Sequence, residues 1–459
     1  MARATEAAEK ASRAWRVLVP ETLARVEALW RTPELPGLEA QSSALLADWL
    51  EGHGFSITRK AHGLPTAFVA RKGHGNGPRI AILAEYDALP GLGNEVVSDR
   101  RPTGQRAGHG CGHNHIGPVN CAAAIAAASL GLAGEVAIIG CPAEEILWGK
   151  VALLRAGAFA GFDAILTSHG DYQNGALSRP CQAVVSTEFV FAGEAGHGGL
   201  QGPCNALAGA EAALGRIGAI AFAGSCKHVL RRAGTMPSIT PEEARLWIVA
   251  RHVDFAAVRR FHGDMVSAAQ AAAAETGTSV AEQFIAECRG YLANDVLAGV
   301  LQGELEAVGP PAWSEAEIGF MRELGAACAP GQGFDLDRGL ALYGEGEDYY
   351  GQDDGEASWR VPLGRVNWAY PRQVPIHHWA WTALSGHSAG HRGALMASEA
   401  LARAAARLLA EPDHVVRARA ELDRRLAGRE VDSPRLGAWA TMTAAPERFW
   451  DASWRETTP

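Results

Sequence analysis

The stretch Val136-Ala-Ile-Ile-Gly-Cys-Pro-Ala-Glu-Glu145 leads from an apolar run directly into a pair of carboxylates. An apolar run without alternation is typical of a strand that is buried on both faces of a sheet. Arg79 to Ala84 and Ala164 to Thr167 have the same character, and segments with helical character lie near 118–130 and 150–156. Strands that alternate with helices in this way predict an α/β fold built on a layered sheet.

The pattern of the chain changes after Pro180. Ala183 to Phe191 and Glu243 to His252 alternate between apolar and polar residues, as strands do when one face is exposed. Helices are expected at 205–221 and 255–276, and another strand or bent segment at Ser279 to Arg289. A β-α-β-α-β order of this kind indicates a second, smaller layer of sheet and helices.

We therefore expect two domains, which is also the natural number for 459 residues. The larger, at 1–184 and 310–459, would be the catalytic domain, with helices around a mixed sheet. The smaller, an α+β domain of the ferredoxin-like type, would be inserted at 185–309. Its sheet is half exposed, which suits pairing with a second copy, so a homo-oligomer formed through the inserted domain is expected.

Composition narrows the range of partners and locations. The net charge of −9 is spread along the chain, which argues against nucleic acid because phosphate binding needs a basic stripe. No apolar run approaches the roughly 20 residues that cross a bilayer, so no membrane partner is expected. The eight cysteines are scattered without a CxxC pair, and the reducing cytoplasm is the expected location.

Potential metal ligands follow each of three predicted strands. In Gly108-His-Gly-Cys-Gly-His-Asn-His115, the glycines let a thiolate and an imidazole turn towards one ion. Glu144 and Glu145 can have separate roles, since one can bind the metal while the other takes a proton from water. His169 follows the third strand. Surface loops would explain each motif singly, but not three at successive strand ends, where α/β sheets build sites.

A fourth candidate lies far along the chain, in Pro375-Ile-His-His-Trp379. At most one of His377 and His378 is expected to be a ligand, and the other would be a packed histidine. The residues alone leave open which of the two it is.

In this order, the motifs resemble the metallopeptidase-like amidohydrolase family that includes hippurate hydrolase, the auxin-conjugate hydrolases and the B subunit of aminobenzoyl-glutamate hydrolase. The resemblance extends from about residue 20 to residue 409. The segments that carry it are Ala84-Glu-Tyr-Asp-Ala-Leu-Pro90, Gly110-Cys-Gly-His-Asn114, Pro142-Ala-Glu-Glu145, Ser168-His169, Gly193-Glu-Ala-Gly-His197 with Asn205-Ala206, Leu246-Trp-Ile-Val-Ala-Arg251, Gly351-Gln-Asp-Asp-Gly-Glu-Ala-Ser-Trp359 and Pro375-Ile-His377.

Several roles are implied by this resemblance alone. It implies a zinc-peptidase-like catalytic domain whose divalent transition metal, as one ion or two, is held by Cys111, His113, Glu145, His169 and His377. Sulfur, nitrogen and oxygen ligands together suit zinc, and manganese, cobalt or nickel occur in related sites. Glu144 would be the general base, Asp87 would orient a ligand, and His197 would reach a neighbouring subunit's site to stabilise negative charge.

The surroundings of the motifs indicate a small aromatic acid as substrate. Tryptophans cluster near the motif segments, and Trp379 among them is expected to contact a flat ring. Arg289 is a candidate clamp for a carboxylate through its bidentate fork, and Asn205, in a matching segment, is expected to bind substrate. Where the family has His-Ala-Ser or His-Ala-Ala, this chain has His197-Gly-Gly199, which opens space.

The expected activity is hydrolysis of a carbon–nitrogen bond by metal-activated water. Two bonds stay open at this point: the amide of an N-acyl or aminobenzoyl amino acid, and the aryl–amine bond of an activated aromatic amine such as 5-nitroanthranilate. A non-catalytic metal- or peptide-binding protein on the same scaffold is the alternative. Glu144 argues against it, because a binding protein needs no base beside a metal ligand.

Overall fold

The computed structural model describes residues 2–198 and 204–450. The α-helices in these residues are α1 (Ala2–Arg31), α2 (Ala40–Gly52), α3 (His113–Ala128), α4 (Gly149–Arg155), α5 (Ala206–Gly218), α6 (Phe255–Thr276), α7 (Asp295–Val308), α8 (Glu315–Cys328), α9 (Asp354–Ser358), α10 (Trp379–Ser385), α11 (Ser388–Ala410), α12 (Asp413–Leu426) and α13 (Trp439–Ala444). The strands are β1 (Ser56–Arg59), β2 (Phe68–His74), β3 (Arg79–Glu85), β4 (Leu89–Pro90), β5 (Ala107–Gly108), β6 (Gly134–Cys141), β7 (Ala164–Asp171), β8 (Gly175–Leu177), β9 (Ala183–Ala192), β10 (Gly196–His197), β11 (Ser225–Arg232), β12 (Ile239–Thr240), β13 (Glu243–His252), β14 (Ser279–Cys288) and β15 (Leu363–Ala369).

The larger sheet has seven strands in the order β1-β2-β6-β3-β7-β15-β8. Strands β6, β3, β7 and β15 run parallel, whereas β1, β2 and β8 are antiparallel to their neighbours. This mixed sheet among helices confirms the predicted fold class. Parallel strands end at the same edge of a sheet, so the residues that follow β3, β6, β7 and β15 are brought close together.

Strand β3 shows why the central runs are apolar throughout. Ile80 and Ile82 pack into a core with α1, α3 and α11 on one face of the sheet. Ala81 and Leu83, at the alternate positions, pack into a core with α4 on the other face. Both faces of the strand are therefore buried, and a run without alternation is what that burial requires.

Strands β11 and β15 were not predicted from the sequence. β15 carries Arg365 and Asn367, which interrupt its apolar character although both are buried. Arg365 pairs with Asp354, and Asn367 donates a hydrogen bond to Asp171. The partners that make these polar residues tolerable inside a sheet lie outside the strand, 11 residues away for Arg365 and 196 for Asn367, so the strand has no local signature.

The smaller unit is a four-stranded antiparallel sheet in the order β11-β13-β9-β14. Helices α5 and α6 cover one face, where Leu246, Ile248 and Ala250 of β13 join their core. This is the smaller α+β layer that the alternating strands predict, and its limits at 185–309 stay a prediction. Within those limits α7 packs against α11 and α12 of the larger unit, because Leu297 and Leu301 belong to the larger core. The packing therefore favours an end of the smaller unit before α7.

The longest described helix, α1, has 30 residues and lies against α3 and α11. Its buried positions form a stripe that includes Trp15 and Leu29, while Glu6 and Lys10 form an ion pair on its exposed side. No helix within residues 2–198 and 204–450 combines the length and the apolar character needed to cross a bilayer.

Candidate metal centre

The predicted ligands lie at the carboxyl edge of the parallel strands. Cys111 and His113 flank Gly112, the residue directly before α3, and Glu145 follows β6. His169 lies near the end of β7, and His377 lies between β15 and α10. Four segments that are distant in sequence therefore meet at one edge because their strands are parallel neighbours.

The backbone of the loops is shaped for this approach. Gly112, directly before α3, has a φ of +81°, and a Cβ on Gly110 would lie 2.5 Å from Leu92 Cδ1. Ala143 and His377 have φ values of +55° and +61°, which residues other than glycine rarely adopt. Conformations of this kind concentrate at functional sites, where the surrounding structure maintains them.

Two overlapping groups of three side chains place their donor atoms within 4.8 Å of one another, and both contain Cys111. In the first, Cys111 Sγ lies 3.5 Å from His169 Nε2, and His113 completes the group. In the second, Glu145 Oε2 lies 3.3 Å from His377 Nε2. The structure thus brings all five sequence-predicted ligands around Cys111.

Buried atoms without a partner indicate that this cluster fits a metal ion. His113 Nε2 and Glu145 Oε1 are buried and have no hydrogen-bond partner among the described residues. Burying such atoms is unfavourable unless something satisfies them, and an ion at this position would do so. Thiolate, imidazole and carboxylate donors together suit zinc and neighbouring transition metals.

Burial also sets the protonation of the candidate ligands. It raises the pKa of the Cys111 thiol well above its usual value and the pKa of Glu145 to about 8. It lowers the pKa of His169 and of His377 to about 4. Neutral imidazole and ionised thiolate or carboxylate are the forms that bind metals. The two histidines are therefore ready to coordinate at pH 7, whereas Cys111 and Glu145 have to lose protons first.

Asp87 lies directly behind His113. Its Oδ1 is 2.8 Å from His113 Nδ1, and its Oδ2 accepts a hydrogen bond from the backbone N–H of Glu145 at 2.9 Å. An imidazole engaged at Nδ1 presents Nε2 to the cluster, and the carboxylate makes that nitrogen more basic. This is the arrangement expected of a residue that orients a ligand.

Glu144 lies beside the two groups that contain Cys111. Its buried Oε2 is 3.7 Å from His113 Nε2. Burial raises the pKa of Glu144 well above its usual range, although Lys150 acts in the opposite direction. A carboxyl whose pKa is raised towards neutrality is suited to accept a proton and return it.

The structure adds a third group of possible donors, Glu85, His113 and Glu144, which the sequence did not predict. Lys150 Nζ lies 2.8 Å from Glu85 Oε1 and 2.5 Å from Asp353 Oδ1, and all three side chains are buried. Burial opposes ionisation of Glu85, but Lys150 and His113 outweigh it and lower its pKa to about 2. A buried ion-pair network therefore lies directly behind the candidate ligands. Its only local signal is a glutamate that ends an apolar strand.

A cavity of about 470 Å³ lies against the cluster. The smaller sheet contributes Lys227 and Arg251 to its wall, and the loop before α9 contributes Tyr349. Leu147 and Ile376 add apolar surface. Arg251 lies in a motif that matches the family, but no role was predicted for it, and none was predicted for Lys227. Their position beside the cavity depends on how the two units pack, which the sequence does not show.

Two residues predicted to bind substrate have other partners. Arg289 is buried and pairs with Glu356 and Asp432, so its guanidinium already has two carboxylate partners within the chain, which argues against the predicted clamp. Asn205 caps α5, where its side chain accepts hydrogen bonds from two backbone N–H groups. Neither residue lines the cavity beside the cluster.

The remaining predicted residues also lie off the cavity wall. Trp379 begins α10 and packs against the ring of His378, which caps the same helix. This leaves His377 as the member of the pair that joins the cluster. His197 is exposed on β10, and the open space predicted at Gly199 lies outside the described residues. The predicted reach of His197 into a neighbouring subunit therefore stays a prediction.

The fold and the cluster together define a class: a mixed α/β unit with a smaller antiparallel sheet and metal-ligand side chains at the strand ends, as in metallopeptidase-like hydrolases. No family model matches the chain. The chain is 28% identical over 419 residues to the B subunit of p-aminobenzoyl-glutamate hydrolase from Escherichia coli, an alignment that covers 82% of this chain and 86% of that protein.

Solved structures show the same fold. The aminobenzoyl-glutamate utilization protein from Klebsiella pneumoniae has a TM-score of 0.54 at 19% identity and covers 85% of this chain and 96% of its own. A dinuclear metal-binding peptidase of the M20 family from Bacillus subtilis has a TM-score of 0.54 at 20% identity and covers 86% and 99%.

The chain is therefore similar over most of its length to the B subunit of p-aminobenzoyl-glutamate hydrolase, and it shares its fold with a peptidase of the M20 family. These relatives match the family that the motifs predicted. They are hydrolases of carbon–nitrogen bonds, which is the predicted enzyme class.

Proposed function

We propose that the chain is a metal-dependent amidohydrolase that cleaves the amide bond between an aromatic acyl group and an amino acid. One observation carries the proposal. Four candidate ligands, the buried carboxyl of Glu144 and the side chain of Arg251 all line one cavity, and these four ligands are Cys111, Glu145, His169 and His377. A hydrolytic centre and a group that binds carboxylates are thus within reach of one small molecule.

A divalent metal ion held by these residues would polarise the amide carbonyl and lower the pKa of water towards about 7. The side chains of this protein supply the proton transfers. Glu144 takes the proton of the attacking water and then delivers it to the leaving nitrogen. Asp87 holds His113 in place during these transfers, since it is hydrogen-bonded to both His113 and the backbone N–H of Glu145.

The cavity wall supports an aromatic acid as the substrate. Leu147, Ile376 and Tyr349 offer apolar and aromatic surface for a ring. Arg251 offers a planar fork that matches a carboxylate. The E. coli relative is named for p-aminobenzoyl-glutamate, which combines these two features, and we propose a substrate of that type.

The test is turnover of three compounds by purified, metal-loaded protein. We expect p-aminobenzoyl-glutamate to release glutamate, and hippurate to release glycine more slowly. With 5-nitroanthranilate, release of ammonia would support aromatic deamination, which no contact in the site favours. Ammonia released from 5-nitroanthranilate with both amides left intact would overturn the proposal.

Variants assign the base and the metal separately. Glu144→Gln should retain the bound metal and lose almost all turnover, whereas Glu145→Gln should lose metal affinity. Metal content by mass spectrometry and turnover are measured on the same preparations. A Glu144→Gln protein that keeps most of its activity would remove Glu144 from the role of base.

We also propose a cytoplasmic homo-oligomer that forms through the smaller unit. Strand β11 is at the edge of its sheet and exposes Val229 and Leu230, an arrangement suited to pairing with another strand. All eight cysteines are unpaired, which fits a reducing compartment. Native mass spectrometry of the purified chain tests the assembly, and a strictly monomeric protein would contradict it.

A further inference from the structure

We infer that Lys227 is a specificity-determining residue that binds a second carboxylate, so that the preferred substrates are N-acyl derivatives of acidic amino acids. This inference rests on the proposed function. It concerns the amino-acid half of the substrate, whereas the candidate metal centre concerns the bond that is cleaved.

The register of the smaller sheet places Lys227 and Arg251 on the same face. Ser225 of β11 pairs with Arg251 of β13, and Lys227 pairs with Val249. Directly paired residues project from the same face, and so do residues two positions apart on one strand. Lys227 and Arg251 are therefore diagonal neighbours, whose separation in such a sheet is about 7–8 Å.

This face is the one that looks towards the metal centre. Helices α5 and α6 cover the opposite face, to which Ile248 and Ala250 belong. Val249, between Lys227 and Arg251, packs with Leu147 of the larger unit. The two cations accordingly line the same cavity as Glu144 and four of the candidate ligands, Cys111, Glu145, His169 and His377.

Neighbouring arginines of this sheet form ion pairs with acidic side chains of the same chain, whereas Lys227 and Arg251 form none with the described residues. Arg231 and Arg245 both pair with Glu188, each with 3.2 Å between a guanidinium nitrogen and a carboxylate oxygen. Within residues 2–198 and 204–450, the side chains of Lys227 and Arg251 have no hydrogen bond and no ion pair. The sheet thus neutralises its other arginines internally and leaves two positive charges facing the cavity.

Two separate cations match two separate anions. Arg251 is the more buried of the two, and its fork suits the α-carboxylate beside the scissile amide. Lys227 is exposed at the cavity wall and carries a compact charge on a flexible stem, which suits a carboxylate at the end of a side chain. A substrate with one carboxylate would leave Lys227 unused.

The experiment compares p-aminobenzoyl-glutamate with p-aminobenzoyl-glutamine, which differ only in the charge of the side-chain terminus. For the unaltered protein we expect kcat/KM to favour the glutamate compound about tenfold, the low end for a charge-assisted hydrogen bond because Lys227 is exposed. In Lys227→Met this ratio should approach one, mainly through a higher KM for the glutamate compound. Lys227→Arg should restore most of it.

Arg232→Met is the matched control, because Arg232 lies on the same strand but pairs with Glu243 and does not line the cavity. Its selectivity ratio should equal that of the unaltered protein. Equal rates on both compounds by the unaltered protein would overturn the inference and leave the proposed function standing. So would a Lys227→Met protein that keeps its preference for glutamate. Failure of the unaltered protein to cleave either amide would overturn the proposed function and this inference with it.

Discussion

Replacement of Lys150 by methionine would remove the cation from a buried network behind the metal centre. Lys150 Nζ is 2.8 Å from Glu85 Oε1 and 2.5 Å from Asp353 Oδ1, and none of these side chains reaches solvent. Methionine fills nearly the same space, so packing is largely preserved and the change isolates the charge. Two carboxylates would then be buried without their common partner.

Breaking a buried ion pair from one side costs about 3–5 kcal/mol of unfolding free energy, and we expect a loss in that range. The loss should depend on pH. Burial already raises the pKa of Asp353 to about 7 although Lys150 lowers it, and without Lys150 this pKa rises further. The pKa of Glu85, which Lys150 helps to hold at about 2, rises as well because its burial is then opposed by less positive charge. A group whose pKa is higher in the folded than in the unfolded state contributes full stability below the unfolded pKa, and this contribution is lost as the pH rises through the folded pKa. The destabilisation should therefore be smaller at pH 5 than at pH 8.

The assay is urea-induced unfolding of metal-free protein, followed by tryptophan fluorescence at pH 5 and pH 8. Lys10→Met is the matched control, because Lys10 forms only an exposed pair with Glu6 on α1 and should change the midpoint little. A Lys150→Met protein that loses less than about 1 kcal/mol, or whose loss is the same at both pH values, would refute the account of a buried ionised network.

Other predictions address the ligands and the corrected residues. Metal binding at pH 7 should release protons from Cys111 and Glu145, because burial raises the pKa of both. Calorimetry in two buffers of different ionisation enthalpy measures the number of protons released. A value of zero would contradict the assigned protonation states. Asp87→Asn should weaken metal affinity about 10–100-fold with the fold intact, as measured by competition with a chelator, and unchanged affinity would deny that Asp87 supports His113. Arg289→Met should lower the unfolding midpoint and leave KM unaltered, because Arg289 pairs with Glu356 and does not line the cavity; a raised KM with normal stability would reinstate the predicted clamp.

The strands and ligands that could be predicted from the sequence are those that local residue patterns indicate. The apolar runs of β3, β6 and β7 identify buried strands, and the side chains that follow them identify the ligands once the strands are known to be parallel neighbours. The choice of His377 over His378 came only through the family pattern, and the left-handed backbone of His377 between β15 and α10 left no sign in the residues. A lone arginine has the same local sequence whether it faces a ligand or a carboxylate of the chain, so the sequence could not show that Arg289 pairs with Glu356.

Features that arise from packing between distant segments were not predicted. Lys150 is a single basic residue near the start of α4, and only the fold shows that it lies between Glu85 and Asp353. Lys227 and Arg251 are two charges on alternating strands, and their role depends on which face of the sheet is covered by helices. Pairing register and layer packing are long-range properties, so they become visible only in the folded chain.

We propose that one cluster at the strand ends binds the catalytic metal. A crystal structure of zinc-loaded protein, with anomalous diffraction data collected at the zinc edge, would locate the ion. We expect a peak within coordination distance, about 2.0–2.3 Å, of Cys111 and of at least two among His113, Glu145, His169 and His377. An anomalous peak at another place, such as the pair formed by His115 and His391, with none at Cys111, would contradict this assignment.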